Sequence, residues 1–143
     1  MDRKNPRGLL SVTGITNLSN NRGDSEDPRI AASDKNVYAV WQDNTPGNSE
    51  IFFAASSDSG TSFTTAVNLS NTSQDSIAPQ IAVSGSNVYV VWVEKVSSSN
   101  WEVFFRRSTN GGASFDPAIN LSNNPSAVLC EPSTIRIVNT HSI

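Results

Sequence analysis

Hydroxyls and a carboxylate gathered on one short loop are the raw material of nucleophilic or acid–base chemistry. The densest such cluster is Ser56-Ser57-Asp58-Ser59-Gly60-Thr61-Ser62-Phe63, and it returns 52 residues later as Ser108-Thr109-Asn110-Gly111-Gly112-Ala113-Ser114-Phe115. Both copies read Ser-x-(Asp/Asn)-x-Gly-x-Ser-Phe, with Asn110 standing where the first copy has Asp58. That exchange removes any general base and keeps a hydrogen-bond acceptor, which is what a tight turn needs. Gly60 and Gly112 allow φ > 0 at no steric cost. Ser56, Ser62, Ser108 and Ser114 add hydroxyl bonds, and Phe63 and Phe115 are expected to pack inward and pin the turn. The cluster reads as a hairpin staple.

Other reactive side chains are few. Cys130 is the single cysteine and His141 the single histidine, so an internal disulfide and a His/Cys metal site are both excluded by count. Asp24, Asp43 and Asp75 fall in loops expected on one face, and their oxygen ligands suit calcium. Asp-Ser ahead of Pro is equally ordinary turn chemistry, so no cofactor is expected beyond that calcium option. Arg22-Gly23-Asp24 is an adhesion-type tripeptide whose counterpart in the second copy is Ser73-Gln74-Asp75. Asn17, Asn68, Asn71 and Asn120 lie in Asn-x-Ser/Thr sequons, three of which are one repeated Asn-Leu-Ser phrase. Trp101 with Asn44, Asn48 and Asn100 has the composition of a sugar platform, since aromatic faces stack on sugars and amides bond hydroxyls. A net charge of −3 over 143 residues lacks the basic footprint of a nucleic-acid binder. No run nears the roughly 20 apolar residues of a membrane-spanning helix, and the first ten residues hold no apolar stretch of signal-peptide length. Nucleic acid, membrane and an export signal are therefore not expected.

The elements that must carry these residues follow from the period. Residues 15–19, 66–70 and 118–122 are three copies of one short strand ending in Asn-Leu-Ser, 51 and 52 residues apart. Between them run 29–33 and 80–84, each just after a proline (Pro28, Pro79) that can start a strand. Next come 37–41 and 88–92, apolar on both faces and so expected to be covered on both sides. Residues 50–53 and 102–105 follow, β-branched and aromatic. Each unit is thus four short antiparallel strands, an all-β plan. A four-stranded sheet with two apolar faces must be stacked by neighbours, and radial stacking is the β-propeller solution. The organisation is a lead-in at 1–13, a spare fourth strand plus blade 1 at 14–70, blade 2 at 71–122, and a tail or start of a third blade at 123–143. Closing a propeller takes at least about four blades. The expected partner is therefore the chain itself, in three or four copies, or further blades of a longer chain.

The phrase Ser-x-Asp-x-Gly-x-(Thr/Ser)-(Trp/Phe) resembles the Asp-box, or bacterial neuraminidase repeat, of sialidase-like β-propellers. The resemblance covers residues 14–122. It implies a box between the third and fourth strands of each blade, structural in role and on the face away from the active site. It also implies an arginine triad, a tyrosine nucleophile supported by a glutamate, and an aspartate acid/base. Tyr38 and Tyr89 hold one place in two successive units, inside apolar strands, and read as core. Arg29 meets the family's first arginine motif only in part, because Ala31 stands where proline is expected. Arg106 and Arg107 are adjacent on a strand and point to opposite faces. No catalytic residue is assigned. The reading is a non-catalytic module binding glycan or protein through loops 20–28, 42–49, 71–78 and 93–100, opposite the boxes. The alternative is a fragment of a sialidase-type glycoside hydrolase with an incomplete site, and a third is a purely structural ring unit. A full-length parent is implied to be extracellular.

Overall fold

A computed structural model describes residues 14–123. The lead-in at 1–13, the tail or expected start of a third blade beyond 123, Cys130 and His141 lie outside the described residues. The described chain has no helix and forms two four-stranded antiparallel sheets, ordered β1-β2-β3-β4 and β5-β6-β7-β8. The first holds β1 (Ser25–Ser33), β2 (Asn36–Asp43), β3 (Glu50–Ser56) and β4 (Val67–Asn68). The second holds β5 (Ser76–Ser84), β6 (Asn87–Ser97), β7 (Asn100–Ser108) and β8 (Ile119–Asn120). The all-β plan and its repetition are present; the two sheets stack and do not close.

Local chemistry sets the hairpins. Ser33 pairs with Asn36 and Ser84 with Asn87, leaving two-residue loops whose first residues, Asp34 and Gly85, have φ of 54° and 57°. Asp and Gly tolerate the left-handed region that tight hairpins demand. The prolines depart from expectation: Pro28 and Pro79 lie inside β1 and β5, at register shifts between Glu26 and Arg29 and between Ile77 and Gln80. Each follows a residue of positive φ, Asp27 at 48° and Ala78 at 55°. These are β-bulges on edge strands, where a missing N–H costs no ladder bond. Residues 15–19 form no strand, because no third-strand partner precedes them among the described residues. Loop 93–100 is also shorter than expected, since β6 runs to Ser97 and β7 starts at Asn100.

The core lies between the sheets. Tyr38, Val40, Ile51, Phe53, Ala55 and Leu69 of the first meet Val88, Val90 and Trp92 of the second. Strand alternation explains the choice: Val40 faces Phe53 across the β2–β3 ladder, and Trp92 faces Phe104 across β6–β7. Each such side chain contributes about 1.5–3 kcal/mol on leaving water. Aromatic pairs brace both sheets, Trp41 on Phe52 and Trp92 on Phe104, each with centroids 6.1 Å apart. One polar tie crosses the core: Arg106 Nη1 donates to the Leu69 carbonyl at 2.8 Å. Cover was expected on both sides of each sheet; one face of each is covered by the other.

Candidate functional site

The two boxes sit where β3 and β7 end, and the same bonds fold both. Ser56 Oγ accepts from the amides of Asp58 (3.3 Å) and Gly60 (2.9 Å) and donates to Asp58 Oδ1 at 2.7 Å. Asp58 in turn accepts from the Ser62 amide at 2.8 Å and the Ser62 hydroxyl at 2.6 Å. Those Ser62 bonds, with that of Ser56, hold its carboxyl down at about 2. In the second box Ser108 Oγ accepts from Asn110 and Gly112, and Asn110 Oδ1 from the Ser114 amide. The lost charge reverses one bond: Asn110 Nδ2 donates to Ser114 Oγ at 2.8 Å, where Ser62 donates to Asp58. Each box is also anchored to the first hairpin of its own sheet, Ser59 N to Lys35 O and Gly111 N to Ser86 O, both 2.8 Å. A carboxylate so engaged has no proton to move. Phe63 and Phe115 are both half-buried. Phe115 meets Phe53 of the other sheet edge-on at 5.0 Å, so the second box aromatic joins the sheets.

The opposite end, where β2 turns into β3 and β6 into β7, carries a set of buried carboxylates. Asp43 pairs across its ladder with Glu50, and Glu94 with Glu102; all four are under a tenth exposed. Asp43 accepts from Ser25 Oγ and Asn21 Nδ2 at 2.7 Å, from the Thr45 amide at 2.9 Å, and from the Thr45 hydroxyl and Trp41 Nε1. Burial pushes its carboxyl up, but the bonds from Ser25, Thr45 and Asn21 outweigh it and bring it to about 2. Glu94 repeats part of the arrangement with Trp92 Nε1 at 3.0 Å and Ser76 Oγ at 3.5 Å. With fewer donors, burial and the neighbouring charge of Glu50 leave the Glu94 carboxyl raised. Glu50 takes Asn48 Nδ2 and the Thr72 amide, both at 2.9 Å, and the Ser70 hydroxyl. Glu102 takes Asn100 Nδ2 at 3.0 Å and Asn120 Nδ2. Sequence reasoning had singled out Asp43 and missed Glu50, Glu94 and Glu102. Their signal was present: Trp-x-(Asp/Glu) at 41–43 and 92–94, and a glutamate opening each third strand.

The remaining candidates are placed as follows. Asp24 bonds Asn44 through its amide at 2.8 Å and its carboxylate at 3.1 Å. Asp75 accepts the Ser49 amide at 3.1 Å, tying the loop of the first sheet to the start of the second. Asp24 and Asp43 are linked through this loop network, whereas Asp75 serves the junction between sheets. Among the described residues no group of three or more His, Cys, Asp or Glu is arranged to hold a metal. Trp101 is half-buried near the β6–β7 tip, with Lys95 Nζ 5.9 Å from its ring centre. The amides foreseen beside it are engaged elsewhere: Asn44 on Asp24, Asn48 on Glu50 and the Gln74 carbonyl at 2.7 Å, and Asn100 on Glu102. Tyr38 is 1% exposed, and burial raises its hydroxyl; Tyr89 is half-buried against Phe105 at 6.3 Å. Arg106 serves the core, and Arg107 pairs with Asp116 at 2.8 Å on the outside. Compared with known proteins, the sequence matches no family model and no curated protein.

Proposed function

We propose that the chain is a non-catalytic module of the sialidase-like β-propeller type, supplying two blades to a ring and offering the loops opposite the boxes to a glycan or protein ligand. The observation that carries this reading is the repeated box network. One set of Ser–Asp/Asn–Gly–Ser bonds closes the third strand of each of two stacked four-stranded sheets. The non-catalytic part is supported by how the reactive groups are used. Tyr38 is sealed in the core, Arg106 bonds a core carbonyl, and Asp43 and Glu50 are saturated by neighbouring donors.

Trp101 is the aromatic at the ligand end, and its ring face is the surface a sugar would use. Glycan-array binding by the wild type, compared with Trp101→Ala, tests the ligand. Binding should fall at least about tenfold in the variant, the worth of one lost aromatic contact, while the circular dichroism spectrum stays unchanged. A blank array, or equal binding by the variant, would remove Trp101 from the reading. Hydrolysis of a fluorogenic sialoside at high protein concentration would overturn the non-catalytic assignment.

A further inference from the structure

The repeat relates faces as well as residues. The buried face of the first sheet carries Tyr38, Val40, Ile51, Phe53 and Leu69. Shifted by one repeat they become Tyr89, Val91, Val103, Phe105 and Leu121, on the outer side of the second sheet. The face of the second sheet that packs on the first carries Ile81, Val88, Val90, Trp92 and Phe104. Shifted back, these are Ile30, Val37, Ala39, Trp41 and Phe52, on the outer side of the first sheet. The two outer faces are therefore close copies of the two halves of the internal interface, altered at Ile51 to Val103, Ala55 to Arg107, Val83 to Ala32, Val90 to Ala39 and Arg106 to Ala54. Exposure records what is missing: Leu121 is 57% and Ile30 72% exposed, while Leu69 is 1%.

At one end the site has an occupant from the same chain. Leu18, counterpart of Leu69 and Leu121, is half-buried and lines a cleft of about 230 Å³ with Ala39 and Trp41. Leu69 holds the matching position in the cluster around Trp92.

We propose that the chain assembles head to tail with copies of itself. The outer face of the second sheet docks on the outer face of the first sheet of the next copy, and Leu121 replaces Leu18 beside Trp41. Such an interface is heterologous and propagates until it closes. With two sheets per chain, three or four chains give about six or eight blades, within the range of β-propellers. This deepens the module reading and rests on it for ring closure; the docking itself is argued from the internal interface. One further corner does not copy. Asp27 stands where Ala78 is 3% exposed, and Val93 stands where Gln42 Oε1 accepts the Ala78 amide at 3.1 Å. A carboxylate pressed into that corner opposes docking.

Light scattering over a concentration series of the full chain tests the proposal. The wild-type mass should rise above one chain and level at three or four. Leu121→Asp should weaken association at least about tenfold, the worth of burying one leucine. Leu18→Ser and Asp27→Ala, which clear the docking face, should strengthen it. Ile30→Asp blocks the other face. Mixed, Leu121→Asp and Ile30→Asp should form a two-chain complex and nothing larger, because each retains the face the other has lost. Wild type and Leu18→Ser that both stay single at the highest soluble concentration would overturn the proposal. So would dimers that Leu121→Asp and Ile30→Asp each form alone, which would mean pairing of like faces. Ligand binding measured on the single-chain Leu121→Asp variant reports on the loops independently of assembly.

Discussion

Gly60 and Gly112 hold one place in the two boxes, with φ of 84° and 83°, yet a methyl group would meet different surroundings at each. On Gly60 the added carbon would come no nearer than 4.0 Å to Phe63, whereas on Gly112 it would fall 2.6 Å from Phe53 Cε1. Gly60→Ala should therefore cost only the strain of positive φ, about 1 kcal/mol. Gly112→Ala adds overpacking against a core ring and should cost about 3 kcal/mol in urea denaturation. Equal losses would mean that Phe53 swings aside freely. The carboxylates give opposite pH signatures. Asp43, held at about 2 against an ordinary 3.8, stabilises the fold above that ordinary value and loses the contribution as pH falls toward about 2, a difference of about 2 kcal/mol. Glu94 is raised from 4.5, so the folded state holds its proton more tightly and stability declines as pH rises through and above 4.5. Glu94→Gln keeps an acceptor for Trp92 and removes the buried charge. Its stability relative to wild type should be greater at pH 7 than at pH 4.5; a variant less stable at pH 7 than at pH 4.5, relative to wild type, would show that the charge stabilises the fold there.

At the scale of elements, what was legible in the sequence is what is local. The cores of β2, β3, β6 and β7 are β-branched and aromatic runs, and the boxes carry their own hydrogen-bond partners within eight residues. The rest depends on residues distant in sequence. Residues 15–19 spell a strand but have no strand to pair with among the described residues. Pro28 and Pro79 end up inside strands because bulges at Asp27 and Ala78 absorb them. The charge of Glu50 adds to the burial that raises the Glu94 carboxyl across the sheet junction, which no local pattern encodes. The box aromatics show the same division. The motif suggests equal anchors, and a fully buried phenylalanine would cost about 3–5 kcal/mol on truncation. Phe63 is half-buried and lines a cleft with Gly111 and Gly112, while Phe115 is edge-on to the buried Phe53. Phe115→Ala should thus cost about 3 kcal/mol and Phe63→Ala about half that, read as shifts in the urea midpoint at constant slope. A larger loss at Phe63 would mean that its box is the firmer staple.

At the scale of the molecule, neither sheet has a core of its own. Each supplies one covered face, and the buried cluster takes residues from both, Val40 and Phe53 from one side and Val90 and Trp92 from the other. Strand β5 packs on β1, β2 and β3, the Ser76 amide donates to the Ser49 carbonyl at 2.7 Å, and Arg106 reaches Leu69 across the divide. Separating the sheets would strip water-excluding cover from every one of these groups, so a state with one sheet folded and the other melted gains little. Unfolding should therefore be a single transition. Hydrogen exchange at the β2 and β6 amides checks this directly, since both strands should open with one free energy and respond alike to denaturant. Val40→Ala and Val90→Ala, each at a wholly buried position, should each lower both opening energies by about 2 kcal/mol. If Val90→Ala loosened β6 while β2 kept its wild-type protection, the sheets would be independent units and the shared core would not be what holds the chain together.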